Sequence, residues 1–186
     1  GGLRYALKEI GVILTKANQA IQTLEKYRSV LNQALTNLTA SEFEELVSLP
    51  EVINVIQRVE MVIRIKMEIK RFINELGTEG RLISMQMEEL VSNMEEEAWL
   101  LYKDYAKEDS DEAIREIIMG LKRSTDDELL DDNHITKLLG YPSSAATSEE
   151  LISPRGYRVL NKIPRLPNVI IHNLVERFGR LPNVMM

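Results

Sequence analysis

Residues 7–38 read LKEIGVILTKANQAIQTLEKYRSVLNQALTNL and carry a regular apolar repeat. Its apolar residues recur at alternating steps of three and four, and only Arg28 interrupts the series. A heptad pattern of this length predicts one long helix, about residues 3 to 38, that packs against partner helices in coiled-coil manner. The predicted bundle seam consists of Leu7, Ile10, Leu14, Ala17, Ile21, Leu24, Leu31, Leu35 and Leu38.

Two further long helices are predicted after the seam. Pro50 suits the first turn of a helix that runs to about Leu76, because its missing N–H would be unpaired there anyway. Gly77 and Gly80 then bracket a tight reversal, since glycine adopts a left-handed C-cap at no steric cost. Apolar residues at helical spacing predict the third long helix over residues 81–107. Three long helices joined by short turns favour an antiparallel bundle.

Shorter helices are predicted in the rest of the chain. Thr39 and Ser41 offer N-cap chemistry for a short helix that would carry Phe43 and Leu46. Others are expected over residues 112–123, 126–139, 154–162 and 167–178. The fold class is therefore all-α: an antiparallel bundle of long helices, then short helices and a partial C-terminal helix-hairpin-helix.

Composition shifts divide the chain into three predicted segments. Residues 1–142 form a helical bundle domain, and residues 143–153 are small and polar, as is typical of a linker. Residues 154–186 form a third segment, which is basic and predicted to be helical. The sequence opens with two glycines and ends in the apolar run Val184, Met185 and Met186, so we expect a fragment whose open end seeks a partner.

Composition also excludes several classes of protein. The chain has no cysteine, which rules out a disulfide framework and a thiol nucleophile and is typical of a reducing cytosol. No apolar run approaches the roughly 18 residues that a membrane span needs. Only 5% of the 186 residues are aromatic, which favours helices packed on aliphatic seams over a β-sandwich. We expect a soluble, cytoplasmic protein without a membrane partner.

Charge is distributed very unevenly along the chain. Residues 154–186 hold six basic side chains and one acid, a net charge of +5. The remainder therefore carries −11, because the whole chain carries −6. Residues 88–132 alone hold sixteen acids and five bases, again −11. A basic terminal segment on an acidic body indicates that the end of the chain meets a polyanion.

The run KIPRLP at residues 162–167 has the layout of a helix-hairpin-helix turn. Amides of such a turn, with the N-terminus of the second helix, can hold a DNA phosphate. The usual turn carries glycines, whereas here Arg165 and Pro167 occupy it, so the guanidinium becomes the expected phosphate ligand. The predicted DNA phosphate contacts are Arg155, Arg158, Lys162 and Arg165. A plain helical hairpin with a solvated basic face is the alternative interpretation.

Other charged clusters indicate no active site. The acids at residues 95–97, 126–127 and 131–132 read as solvated surface, because a di-metal bundle needs paired Glu-x-x-His motifs and the sequence offers only Asp131-x-x-His134. His172 reads as a packing or surface residue. We find no Ser–His–Asp set, phosphate-binding glycine loop or dinucleotide fingerprint, so no catalytic residue and no metal ligand is predicted.

Several stretches of the chain resemble a known family. The run ILTKANQAIQTLEKY at residues 13–27 is similar to the start of the linker domain of the bacterial DNA integrity scanning family, DisA. The same domain is resembled by EFEELV at 42–47, ELGTEG at 75–80 and KLLGYP at 137–142. The entry to its DNA-binding domain is resembled by PRGYR at 154–158, KIPRLP at 162–167, NLVE at 173–176 and FG at 178–179. The resemblance covers essentially the whole chain, in order.

The resemblance implies a role in a larger protein. Members of the family are diadenylate cyclases that condense two ATP into cyclic di-AMP with a divalent metal such as Mg²⁺ or Mn²⁺. They assemble as octamers and recognise branched DNA resembling Holliday junctions, which suppresses synthesis. Asp-Gly-Ala and Arg-His-Arg motifs mark their cyclase domain, and neither occurs in this sequence. The resemblance thus implies a non-catalytic linker followed by residues 154–186 as the first half of a helix-hairpin-helix DNA-binding domain. It implies no cofactor for these residues, in a nucleoid-associated protein.

Two alternatives remain open. In one, the chain is a purely structural oligomerisation bundle whose basic end docks on its own acidic helices, and it binds no DNA itself. In the other, it is a di-metal bundle enzyme, which predicts bound metal in the purified protein. DNA titration with a mass measurement in solution distinguishes the first alternative from the main hypothesis.

Overall fold

The computed structural model describes residues 1 to 179. These residues are all-α, as the sequence predicts, and their only strand-like pairing is an isolated bridge between Ser48 and Leu151. Arg180 and the apolar end at 184–186 lie outside the described residues. The helices are α1 (Gly2–Phe43), α2 (Leu49–Leu76), α3 (Arg81–Val91), α4 (Met94–Tyr105), α5 (Asp111–Arg123), α6 (Asp126–Leu129), α7 (Asp132–Leu138), α8 (Tyr157–Leu160) and α9 (Asn168–Phe178).

The chain divides by its contacts into two compact units. Unit 1 comprises Gly1–Gln33 and Arg58–Glu95, and unit 2 comprises Ala34–Gln57 with the chain from Glu96 onwards. Both α1 and α2 contribute residues to each unit. This grouping rests on spatial contacts, and the three sequence segments predicted above stay a prediction.

An aliphatic core holds unit 1 together. Its buried residues are Ala17, Ile21, Leu24 and Leu31 of α1, Val59, Val62, Ile69 and Leu76 of α2, and Ile83, Met87 and Val91 of α3. Burying a side chain of this size contributes about 1.5–3 kcal/mol relative to leaving it exposed. The central part of the predicted seam is therefore confirmed as core.

The two ends of the seam differ from its centre. Leu38 is buried in unit 2, whereas three other seam residues are half-buried: Ile10, Leu14 and Leu35. The assignment of Leu7 is wrong for the described chain, because 61% of this residue is exposed. The first buried residue of α1 is Ala17, so the first turns of the helix do not belong to the core.

The third long helix is not continuous as predicted. It splits into α3 and α4 around Ser92 and Asn93. The cause lies in Arg28, the residue that interrupts the heptads. Its Nε donates to the carbonyl of Leu90 at 3.0 Å, an oxygen that would accept from the amide of Met94 in an unbroken helix.

The predicted short helix around Phe43 is also wrong. α1 instead continues to Phe43, and Thr39 donates to the carbonyl of Leu35 within the helix rather than capping a new one. After the helix ends, Glu45 has a φ of 57°, and the amide of Leu46 donates to the carbonyl of Ser41 at 2.9 Å. This six-to-one bond beside a left-handed residue is a Schellman cap, formed here without glycine.

The turn that follows α2 largely matches the prediction. Pro50 lies in the first turn of α2, and Gly77 has a φ of 62° directly after its end. Gly80 serves a different purpose than a left-handed cap. A Cβ built on it would lie 3.2 Å from the Cβ of Leu76 and 3.3 Å from the backbone of Ile73, so glycine permits a close approach there.

Unit 2 contains the short helices and the C-terminal hairpin. Ser110 and Thr125 cap α5 and α6, and the second forms a full capping box with Glu128. The predicted polar linker is partly ordered, because Ser143–Thr147 forms a 3-10 turn and the amide of Ile152 donates to the carbonyl of Val47 at 2.8 Å. The residues that lead to the hairpin are thus bonded to the loop between α1 and α2.

Candidate nucleic-acid interface

The C-terminal segment holds two helices joined by a turn, and the first of them is shorter than the helix predicted over residues 154–162. α8 is a single turn, and α9 follows it after the connecting residues 161–167. The two helices enclose a small apolar cluster of Tyr157, Leu160, Ile171 and Val175, against which Leu100, Leu166 and Leu174 pack. The hairpin therefore has a core of its own that is continuous with α4.

The hairpin tip, residues 162–167, presents two of the predicted phosphate contacts. Lys162 and Arg165 are both exposed. Arg165 has a φ of 63°, in the left-handed region that disfavours residues with a Cβ by roughly 1–2 kcal/mol. No acid occurs from Val159 to Val175, so the charge of the tip is unopposed along the sequence. The tip has the electrostatics of an anion contact.

Arg158 lies at the opposite side of the hairpin and is buried. Its Nη1 donates to both carboxylate oxygens of Glu42, at 2.9 and 3.1 Å, and its Nη2 donates to the hydroxyl of Thr39 at 2.6 Å. Tyr105 donates a further hydrogen bond to Glu42. This bidentate pair ties α8 to the C-terminal end of α1.

Asp104 accepts hydrogen bonds from the backbone amides at the start of α8. One carboxylate oxygen accepts from the amides of Gly156 at 3.0 Å and Tyr157 at 2.7 Å, and the other accepts from the amide of Arg158 at 3.2 Å. Gly156 has a φ of 118°, a left-handed conformation that lets three successive amides converge on one anion. Glu42, Asp104, Tyr105 and Arg158 are hereafter the buried anchor.

Arg155 is buried beside this anchor. Its Nη1 donates to the carbonyl of Lys103 at 2.8 Å and its Nη2 to the carbonyl of Lys107 at 2.9 Å. Its Nε lies 3.6 Å from a carboxylate oxygen of Asp109. These carbonyls belong to the end of α4 and the residues after it, so the guanidinium closes the C-terminus of that helix.

The four predicted phosphate contacts therefore separate into two pairs. The structure gives Arg155 and Arg158 internal partners, and their role is corrected from DNA contact to attachment of the hairpin, because a buried guanidinium needs carboxylates or carbonyls around it. For Lys162 and Arg165 the phosphate contact stays a prediction. Sequence reasoning missed Asp104, although an acid next to the apolar face of α4 is a signal of buried pairing.

Burial raises the pKa of the Asp104 carboxyl group. Desolvation is the main cause and the neighbouring charge of Glu42 adds to it, while the amide donors and Arg158 oppose both; the pKa rises to about 7 from its usual 3.8. Because the folded pKa is above the unfolded one, the unfolded chain releases its proton first as the pH rises. The contribution of this group to stability therefore falls between about pH 4 and pH 7.

We expect Asp104→Asn to flatten part of the pH dependence of unfolding. Between pH 5 and pH 8 the wild-type chain should lose on the order of 2 kcal/mol through this group, and the variant should not. Urea denaturation at several pH values measures the difference. Asp127→Asn, at an exposed acid, is the control, and a variant at Asp104 that keeps the wild-type slope would contradict the assignment.

A serine, a histidine and a glutamate meet in unit 2, although no such set is visible in the sequence. Ser124 Oγ lies 2.7 Å from His134 Nε2, and His134 Nδ1 lies 3.7 Å from Glu128. The serine hydroxyl donates to the carbonyl of Gly120 at 2.7 Å, so the imidazole has to supply the proton of their shared bond. Because the Ser124 hydroxyl donates its proton to this carbonyl, the serine is not activated as a nucleophile. Ser124, Glu128 and His134 instead form a hydrogen-bonded cap at the end of α5.

Two further expectations bear on the site. His172 is exposed and lies 3.0 Å from Glu176 on the next turn of α9, which fits a surface residue. Among residues 1–179, no group of three His, Cys, Asp or Glu side chains is arranged to hold a metal. In the same residues, no helix is long and apolar enough to cross a membrane.

Comparison with known proteins identifies the family of this chain. The family described as the DisA bacterial checkpoint controller linker region matches residues 7–148. The chain belongs to this family. The match to the DisA linker confirms the resemblance noted in the sequence, and it ends just before the segment that forms the hairpin.

Relatives of known name extend the comparison over the whole chain. The DNA integrity scanning protein DisA of Carboxydothermus hydrogenoformans is 51% identical over 185 residues, which cover 100% of this chain and 53% of that protein. The protein of the same name from Bacillus thuringiensis is 53% identical over 184 residues, 99% of this chain and 51% of the relative. The chain spans about half the length of the curated DisA proteins it matches.

Proposed function

We propose that this chain is the helical linker and first DNA-binding hairpin of a DNA-scanning protein. In that protein it would couple recognition of branched DNA to synthesis of cyclic di-AMP from two ATP, in a cyclase domain outside these residues. The single observation that carries the proposal is the hairpin itself: two exposed cations at its tip, and a base fixed to α1 by one buried ion pair. ATP, a divalent metal, an octameric assembly and nucleoid association belong to the proposal for the longer protein.

Phosphate contact at the tip follows from its charge and its backbone. Lys162 and Arg165 supply two cations, and α9 begins nearby with the amides of Asn168 and Val169, which precede the first intrahelical bonds. Such contacts carry no base information, so binding would depend on DNA shape and on salt. Arg165 supports the proposal further, because strain at an exposed side chain points to a function rather than to folding.

Coupling would use the buried anchor. A displacement of the hairpin on DNA binding would act on Arg158, whose guanidinium donates hydrogen bonds to Glu42 and Thr39 on α1. α1 also carries the heptad residues that form the core of unit 1. We therefore propose that DNA binding biases the packing of α1, which transmits the signal without any chemistry in these residues.

Removing the cations of the tip should weaken DNA binding and its salt dependence together. Lys162→Ala and Arg165→Gly should each lower the affinity for a four-way junction and make the salt slope shallower by about one unit. Glycine is chosen at residue 165 because it relaxes the left-handed backbone, so a loss of affinity reports the guanidinium alone. Fluorescence anisotropy titrated with salt measures both quantities.

Arg177→Ala is the matched control for these variants. This arginine is exposed and basic but lies in the last turn of α9, away from the tip. It should leave the salt slope unchanged. Equal effects of all three substitutions would indicate diffuse attraction by a basic surface and would contradict a phosphate site at the tip.

The structural alternative has one specific observation in its favour. The first turns of α1 expose Leu3, Tyr5 and Leu7, which a second copy of the chain could cover. A mass in solution larger than that of one chain, together with no DNA binding, would favour this alternative over the scanning role.

A further inference from the structure

An aliphatic side chain stands between the two cations of the hairpin tip. Ile163 is 46% exposed, and Lys162 and Arg165 flank it in sequence. Isoleucine is costly to leave in water, and a turn has no need of it. The tip therefore combines an apolar point with charge on both sides.

The backbone around this side chain forms a defined turn. The amide of Leu166 donates to the carbonyl of Ile163 at 3.3 Å, with Pro164 second and the left-handed Arg165 third in the turn. Proline followed by a positive φ is the pattern of a type II turn. Leu166 packs on the hairpin core. The turn is therefore restricted by the proline ring at its second position and by this packing at its fourth.

Rigidity of this kind matters for what Ile163 can contact. A flexible loop would lose backbone entropy on binding DNA, whereas a preformed turn loses less. Proteins that open a base step do so with apolar wedges, and cations on either side hold the backbone. The tip has both parts within four residues, 162–165.

We propose that Ile163 is an apolar wedge that enters an opened base step of DNA while Lys162 and Arg165 hold the flanking phosphates. The inference rests on the proposed function and adds the residue that selects the DNA structure. Opening a stacked step costs a few kcal/mol, and that cost is already met where strands branch. The wedge thus favours a junction over an intact duplex without a single base-specific hydrogen bond.

The test compares Ile163→Ala with the wild-type chain on two DNAs of matched sequence, a four-way junction and a linear duplex. The variant should bind the junction about three- to tenfold more weakly, while its affinity for the duplex and its salt slope stay the same. Ile170→Ala is the control, because Ile170 is the same residue type, is 44% exposed on α9 and lies outside the tip. Circular dichroism checks that both variants keep their helices.

A second readout reports the opening itself. The fluorescent base 2-aminopurine, placed at the branch point, should brighten when the wild-type chain binds and should brighten less with Ile163→Ala. A junction preference that survives in Ile163→Ala would overturn the wedge, while the effects of Lys162→Ala would still support the hairpin as a DNA contact.

The remaining outcomes are equally decisive. If the wild-type chain binds neither DNA at low salt, the proposed function fails for this chain, and the wedge fails with it. If Ile170→Ala lowers junction binding as much as Ile163→Ala, the apolar contact is a broad face of α9 suited to a protein partner. That result would overturn the wedge.

Discussion

Replacing Arg158 by methionine should lower the free energy of unfolding by about 3–5 kcal/mol, although the sequence pattern assigns this residue to DNA. The guanidinium is buried and holds both oxygens of Glu42. Arg158→Met would therefore leave a carboxylate buried without its cation. Urea denaturation measures the loss, and hydrogen exchange at the amides of Gly156 and Tyr157 tests whether the base of the hairpin opens first.

A second substitution separates the ion pair from the loss of a long side chain. Glu42→Gln added to Arg158→Met removes the stranded charge and leaves an oxygen that can accept from Tyr105. The double variant should recover part of the loss, with a coupling of about 0.5–3 kcal/mol. Unchanged stability of Arg158→Met together with weaker DNA binding would show that the guanidinium faces DNA in solution.

The helices of the bundle could be predicted from the sequence because heptads report burial directly. Leu24 and Leu31 lie where the repeat requires, and both are fully buried. The pattern says less about where a helix is broken. Arg28 reads as a gap in the seam, but its bond to the carbonyl of Leu90 joins residues 62 positions apart, which no local pattern reveals.

The charged residues were harder to interpret than the apolar ones. Six basic residues near the C-terminus look alike in sequence, yet Arg155 and Arg158 are buried whereas Lys162 and Arg165 are exposed. What distinguishes them is the position of Asp104 and Glu42, which come from distant parts of the chain. Net charge predicts attraction to a polyanion, but only tertiary structure decides which cations remain available.

The hairpin tip could be predicted from the sequence better than the buried arginines could. Its layout could be predicted from Pro164, Pro167 and the helical residues on either side. The departure from the usual glycine turn was also visible, and Arg165 indeed takes the left-handed conformation that glycine normally supplies. The exposure of Ile163 was not predicted, because an isoleucine beside a short helix reads as core.

Truncating two buried leucines of the α1 seam should abolish the effect of DNA binding on cyclase activity. Leu24→Ala and Leu31→Ala each remove a fully buried side chain, and each should cost about 2–5 kcal/mol of unfolding free energy. We expect the double variant, made in the longer protein, to bind DNA while DNA no longer lowers the rate of cyclic di-AMP synthesis. Binding is measured by anisotropy and synthesis by the rate of product formation.

A control must distinguish lost coupling from general instability. The double variant Ile114→Ala with Leu121→Ala also removes two buried aliphatic side chains, but in α5, outside the seam. It should lower stability by a similar amount and leave the response to DNA intact. If the double variant in α1 still responded to DNA normally despite its measured loss of stability, the signal would not depend on the packing of this seam. Only a response lost in α1 and kept in α5 makes the heptads a transmission element, because two equally destabilised proteins then differ solely in which helix was loosened.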